Sequence, residues 1–197
     1  NLGDHWLCGK EGYFDAAFHI PMIVRDPRAA ADATRGSVVE AFTETIDTMP
    51  TILEALGLPI PRQCDGRSLV PFLHGQAPAD WRDAAHWEYD FRDVRDPTIE
   101  RALGLTMDQC ALAVLRDAKG KYVHFNGLEP LYFDLTADPG QFNDLAGDRS
   151  RAAEVLEYAQ RMLTWRMAND ERELTGMAVG TGGVVERGAA RAHHAGP

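Results

Sequence analysis

The side chains with chemistry to offer are gathered between Asn1 and His19 of the 197-residue chain. Asp4, His5 and Lys10 stand there in a stretch broken by Gly3, Gly9 and Gly12, too interrupted for a helix and too polar for a buried strand, so it reads as an ordered loop. Loops carried on a rigid scaffold are where binding and catalytic groups collect. A fixed ammonium at Lys10 would hold the oxygens of an anion, and an imidazole at His5 could orient a ligand or protonate a leaving alkoxide. Asp4 could anchor either of them. Each residue also has a plainer reading: a solvated lysine, a loop histidine bonded to backbone, a turn-forming aspartate. Cys8 lacks a basic partner other than Lys10 and reads as a packed thiol, and His19 as structural.

The elements that must position this loop follow in order. Ile20 to Arg25 is a short apolar run with β-branched residues and reads as a buried strand whose first positions tolerate Pro21. Asp26 to Ser37 reads as a surface connection and Val38 to Ile46 as a short extended segment. A helix then starts, capped by Asp47 or Thr48, with Pro50 in its first turn and Gly57 ending it; Ile52, Leu53, Leu56 and Leu58 are expected to face the core. A second short helix is expected at Leu69 to Leu73. Residues 85–91, 111–115, 122–125 and 131–135 alternate as strands, with Arg116 to Lys121 as a hairpin loop, which predicts an antiparallel sheet. Thr98 to Leu105 is a short helix or insert. Ser150 to Asn169 is a helix, capped by Ser150, with Val155, Leu156, Ala159, Leu163 and Met167 as its apolar stripe across that sheet. Beyond Glu173 the glycine-rich segment reads as a mobile tail or an arm for a neighbouring subunit.

The order of motifs resembles a known family. Leu2-Gly3-Asp4-His5, then Gly9-Lys10, then Tyr13-Phe14-Asp15, then Phe18-His19-Ile20-Pro21-Met22-Ile23-Val24-Arg25-Asp26-Pro27 is similar to the segment closing the active site in the sulfatase and phosphonate monoester hydrolase branch of the alkaline phosphatase superfamily. Asp47-Thr48-Met49-Pro50-Thr51, Asp65-Gly66-Arg67-Ser68-Leu69 and Leu131-Tyr132-Phe133-Asp134-Leu135 with Asp138-Pro139 resemble later motifs of the same family, in the same order. The resemblance implies an α/β fold: the C-terminal edge of the family's catalytic α/β domain (residues 1–80), a small α+β subdomain with about four antiparallel strands and a long helix (81–172), and a flexible or oligomerising tail (173–197). It further implies that Lys10 contacts the sulfate or phosphonate oxygens, with His5 and Asp4 beside it. The Cys-x-(Pro/Ser/Ala)-x-Arg motif that yields formylglycine fits at none of Cys8, Cys64 and Cys110. The nucleophile, and the Asp-His-Gly-Glu ligands of a divalent metal (calcium, manganese or magnesium), are therefore expected upstream of Asn1, so this chain alone should not turn over substrate. The implied partner is an anionic ester, and the implied full-length state is a homo-oligomer.

Composition sets the outer limits. Thirty acidic against 20 basic residues give a net charge of −10, which argues against a nucleic-acid surface and makes a local cation such as Lys10 necessary for any anionic ligand. Three widely spaced cysteines form neither a disulfide framework nor a zinc pattern, and suggest reduced thiols in the cytoplasm. No apolar run approaches the roughly 20 residues of a membrane helix. Asp134, Asp138 and Asp144 resemble a calcium loop only loosely, and His193-His194 reads as solvated. A non-catalytic module that binds an anion or serves as an assembly surface is the rival to the hydrolase reading.

Overall fold

Alternating apolar positions in four successive segments dictate a sheet with two covered faces. The chain forms α1 (Asp15–Phe18), α2 (Thr48–Ala55), α3 (Val70–Leu73), β1 (Ala84–Asp90), α4 (Thr98–Leu103), β2 (Ala111–Asp117), β3 (Gly120–Phe125), β4 (Leu131–Asp134), α5 (Ala152–Asn169), β5 (Met177–Gly180) and β6 (Gly183–Glu186). The structure, a computed structural model, describes residues 1–61, 63–169 and 177–186. It divides into two compact units, Asn1–Val24 with Arg82–Thr164, and Arg25–Trp81 with Trp165–Pro197.

In the first unit β1 to β4 form an antiparallel meander in chain order. One face of the sheet carries Ala113, Leu115, Tyr122 and Tyr132 against Tyr158 and Met162 of α5. The opposite face carries Leu112, Val114, Val123 and Phe133 against Tyr13 of the opening loop, with Trp87 and Tyr89 beside them. The sheet is thus a wall with the long helix behind it and the opening loop in front.

The β2–β3 turn is shorter than the predicted Arg116 to Lys121 loop, because both strands run on to leave only Ala118 and Lys119 between them. Asp117 makes this possible: its Oδ1 accepts from the amides of Lys119 (2.8 Å) and Gly120 (2.9 Å) and from the Tyr158 hydroxyl (2.7 Å), and its Oδ2 from Arg161 (2.5 Å). The Tyr158 and Arg161 bonds pull the Asp117 carboxyl below its usual range against the desolvation that raises it. Glycine is required at 120, where a Cβ would sit 2.6 Å from the Tyr158 hydroxyl and 2.8 Å from that of Tyr132.

Helix α5 is entered through a 3-10 turn whose cap lies two residues before the expected Ser150. Asp148, not Ser150, accepts from the Ser150 amide and hydroxyl, both at 2.8 Å, and starts a 3-10 turn that leads into the helix. Its buried residues are Tyr158 and Met162, flanked by Val155 and Ala159, while Leu156, Leu163 and Met167 are exposed. The stripe is rotated from the predicted one because the Tyr158 hydroxyl finds Asp117 and a tyrosine can therefore be buried.

In the second unit α2 ends at Ala55, followed by Gly57 at φ 68°. Its buried residues are Pro50 and Thr51; Ile52, Leu56 and Leu58, expected in the core, are exposed. Thr51 is drawn inward because its hydroxyl donates to Asp47 O (2.6 Å) and accepts from the Leu69 amide (2.8 Å), tying α2 to the start of α3. Buried Asp47 accepts from the amides of Glu44 and Arg67, both at 2.8 Å. The segment before it is irregular and closes in a 3-10 turn at Thr45–Asp47, in place of the expected extension to Ile46. Asp26 is buried too, held by Arg28 and by His74 at 3.0 Å; Ala29–Thr34 forms a 3-10 turn within the expected surface connection.

One expectation fails outright. Residues 20–25 form no strand, and Ile23 is 95% exposed, since an apolar run becomes a strand only where a ladder partner exists and none of the described residues provides one. The glycine-rich segment beyond Glu173 contains the β5–β6 hairpin, turning at Thr181–Gly182 with Gly183 at φ 105°. His193 and His194 lie outside the described residues.

Candidate functional site

The opening loop is an irregular structure held by its own backbone. The backbone nitrogens of Asn1 and Gly9 donate to each other's carbonyls at 2.7 and 2.9 Å, and Leu2 bridges Cys8 in antiparallel fashion. Gly3 and Gly9 within that closure, and Gly12 after it, adopt positive φ. Among the described residues three non-glycines do the same, His5 (φ 50°), Trp6 (φ 59°) and Gln141 (φ 60°). Such conformations cost energy and persist only where surrounding contacts impose them. All three line one cavity.

His5 is locked in place. Its ring stacks on Phe14 at 3.6 Å and on Phe142 at 4.8 Å, and its Nε2–H donates to Gly140 O at 2.9 Å. Nδ1 lies 3.3 Å from Asp4 Oδ2, near enough for an ion pair but without the alignment of a hydrogen bond. Asp4 is half exposed and His5 nearly buried. The structure thus brings these two predicted residues together and seats His5 between aromatic rings.

Lys10 points elsewhere. It is exposed, its Nζ lies 5.8 Å from the Phe18 ring centroid, and no carboxylate among the described residues pairs with it. Phe18 in turn stacks on Trp87 at 5.4 Å. Lys10 is not among the cavity residues, whereas Leu7 and Glu11 on either side of it are. The loop therefore has two faces, an ammonium on one and the cavity on the other. Cys8 and His19 are exposed.

The cavity has a volume of about 730 Å³, within the range of small-molecule sites. Its lining includes the apolar and aromatic Leu112, Phe125, Phe133, Tyr13, Phe14 and Tyr89, and the charged Glu11, Asp93, Asp144 and Arg92. Arg92 is already paired with Asp90 at 2.5 Å. Burial, and then the Asp144 carboxylate, push the Tyr13 phenol above its usual range; burial followed by Glu11 does the same to Tyr89. Both phenols are neutral donors at neutral pH, and the surplus of carboxylates suits an uncharged group better than an anion.

Sequence reading missed Lys121, which it left in a turn. Lys121 lies in β3, fully buried, on the same face as Val123 and Phe125. Its Nζ donates to Tyr13 O at 2.9 Å and to Gln141 Oε1, pairs with Asp15, and lies 5.4 Å from the Trp87 ring centroid. Burial lowers its pKa to about 8, against the raising effect of Asp15. The alternation Lys121, Val123, Phe125 was the available signal.

The three aspartates of the loose calcium-loop likeness are backbone acceptors instead. Asp134 Oδ1 accepts from Thr136 and Ala137, Asp138 Oδ2 from Phe142 and Asn143, and Asp144 Oδ1 from Tyr132 and Ala146. Among the described residues no three His, Cys, Asp or Glu side chains converge as a metal would need, and no helix is long and apolar enough to cross a membrane.

The chain is 50% identical over 174 residues to the multifunctional alkaline phosphatase superfamily protein PehA of Trinickia caryophylli, covering 88% of this chain and 34% of that protein. It is 29% identical over 163 residues to an N-acetylglucosamine-6-O-sulfatase of Bacteroides thetaiotaomicron, covering 81% and 27%. The fold superposes on the crystal structure of a phosphonate monoester hydrolase of Agrobacterium radiobacter with a TM-score of 0.86 at 43% identity, covering 95% of this chain and 37% of that one. The chain thus spans about a third of the length of these relatives. Residues 3–168 match the family described as N-sulphoglucosamine sulphohydrolase, C-terminal, and the chain belongs to that family, among the sulfatases and phosphonate monoester hydrolases of the alkaline phosphatase superfamily.

Proposed function

We propose that this chain is the C-terminal part of a metal-dependent hydrolase of sulfate monoesters, phosphonate monoesters or phosphodiesters, and that Lys10 is its contact to the anionic group. The observation that carries this is Lys10 itself: a cation without a carboxylate partner among the described residues, at the Gly-Lys step of a loop pinned by Asn1, Gly9 and His5. Charge builds on the non-bridging oxygens as an ester bond breaks, and an ammonium held against them stabilises that state more than the ground state. His5 and Asp4 shape the loop beside it. In this reading a divalent metal and a formylglycine hydrate, both held by residues outside this chain, supply the nucleophile and offset charge on the ester oxygens. The three unpaired thiols support a cytoplasmic setting.

The test starts with the coding DNA immediately upstream of Asn1. An in-frame Asp-His-Gly-Glu and, farther back, a Cys-x-(Pro/Ser/Ala)-x-Arg motif support the hydrolase. In that gene product Lys10→Met is expected to lower kcat/KM on aryl sulfates and aryl phosphonates by roughly 10²–10³-fold. A stop codon directly before Asn1, or full activity in Lys10→Met, overturns the assignment and leaves a non-catalytic anion-binding or assembly module.

A further inference from the structure

We infer that Lys121 is the positioning residue of the Lys10 loop, one buried ammonium fastening that loop to the sheet from behind. The inference rests on Lys10 as the anion contact.

Lys121 cannot touch a ligand, because it is fully buried. An ammonium in such a place is strongly disfavoured unless paired and hydrogen-bonded, and an apolar side chain of similar length would fill the space at less cost. What the charge adds is direction. Its partners come from separate parts of the unit: Tyr13 O from the end of the loop, Asp15 from α1, Gln141 from the segment after β4, and the Trp87 ring from β1. Arg116 of β2 is the other charge facing the group, its Nε 3.3 Å from Asp15 Oδ2. Two of these contacts bear directly on the loop. Tyr13 is the anchor that follows Gly9-Lys10-Glu11-Gly12, and Gln141, held in left-handed backbone, follows the Gly140 whose carbonyl holds His5. Remove the ammonium and both ends of the loop lose their fixed point, while the rest of the sheet keeps its ladder and core.

Cys8 supplies the reporter, being exposed in the loop while Cys64 and Cys110 are buried. A trifluoromethyl tag on Cys8 of the full chain should give one narrow fluorine line. Lys121→Met is expected to broaden or split that line, and to weaken the response of the tag to methylphosphonate by roughly fivefold or more, while the dispersed amide signals of Leu112 to Leu115 stay in place. A purely structural role would move those sheet amides and the loop together. An unchanged line and an unchanged methylphosphonate response in folded Lys121→Met overturn the inference. Should Lys121→Met not fold, Asp15→Asn, which removes the carboxylate charge facing Lys121 and Arg116, must produce the second line, and its absence overturns the inference equally. Lys10→Met separates the two readings: it should abolish the methylphosphonate response and leave the single line intact. If the response persists, the anion assignment falls while the line shapes still decide on Lys121.

Discussion

His5 Nε2–H donates to the carbonyl of Gly140 at 2.9 Å, a bond between residues 135 positions apart in the chain. It fixes a residue in a rarely adopted backbone conformation to a second strained turn, and the rings of Phe14 and Phe142 close over it on both sides. Replacing His5 by Ala removes the bond and both stacking contacts, and is expected to lower unfolding free energy by about 1–2 kcal/mol at pH 7. Urea unfolding followed by tryptophan emission checks it. A variant as stable as the parent would mean that the loop is not docked through His5.

Gly120 and Tyr158 form a coupled pair. Gly120→Ala places a methyl 2.6 Å from the Tyr158 hydroxyl, with the β2–β3 turn and the Asp117 network leaving little freedom to shift. A loss of about 2–3 kcal/mol is expected. Tyr158→Phe costs about 1 kcal/mol alone through its lost bond to Asp117, yet in combination it relieves part of the clash. The double variant should therefore be more stable than the sum of the two by about 0.5 kcal/mol or more.

Stability at alkaline pH carries the signature of Lys121. Its pKa is about 8 when folded, below the 10.5 of an exposed lysine, so between those values the unfolded chain binds more protons and folding is favoured as pH rises. Unfolding free energy should gain on the order of 2 kcal/mol from pH 8 to pH 10 relative to Lys121→Met. Above pH 10 the trend reverses: Tyr132 and Tyr158 have pKa values raised chiefly by burial, so their unfolded forms release protons first and stability falls. Parallel curves for the two proteins from pH 7 to 10 would refute the assignment of that slope.

Thiol chemistry offers a direct count. Cys8 should react at once with an aromatic disulfide reagent, whereas Cys64 and Cys110 should react only in denaturant, since both are buried and burial pushes the Cys110 thiol up. Two fast thiols would contradict the packing of Cys64 or Cys110.

Much of the sheet was legible because its four strands alternate and each pairs with its sequence neighbour. Lys10, His5 and Asp4 were legible as a cluster from their types and the glycines around them, but nothing in that cluster tells which face of the loop each occupies; only the contacts with Phe18 and Gly140 do. Polar residues that enter the interior with a partner were missed for a common reason. Thr51, Tyr158 and Lys121 are inside because Leu69, Asp117 and Asp15 respectively receive them, and such partners lie too far along the chain for periodicity to show. Conversely, Leu56 and Ile23 read as core on hydrophobicity and are exposed.

The meander order of β1 to β4 bears on the sequence of events in synthesis. Every ladder joins neighbours in the chain, so the sheet can assemble progressively as it leaves the ribosome, with short loops and rapid closure. The opening loop is made before the sheet, yet its anchors are Lys121, Gly140 and Gln141. It must wait undocked until more than a hundred further residues have been added. The strained conformations at His5 and Trp6 are then imposed last, on a scaffold already formed, so that the segment bearing Lys10 acquires its shape only when the unit around it is complete.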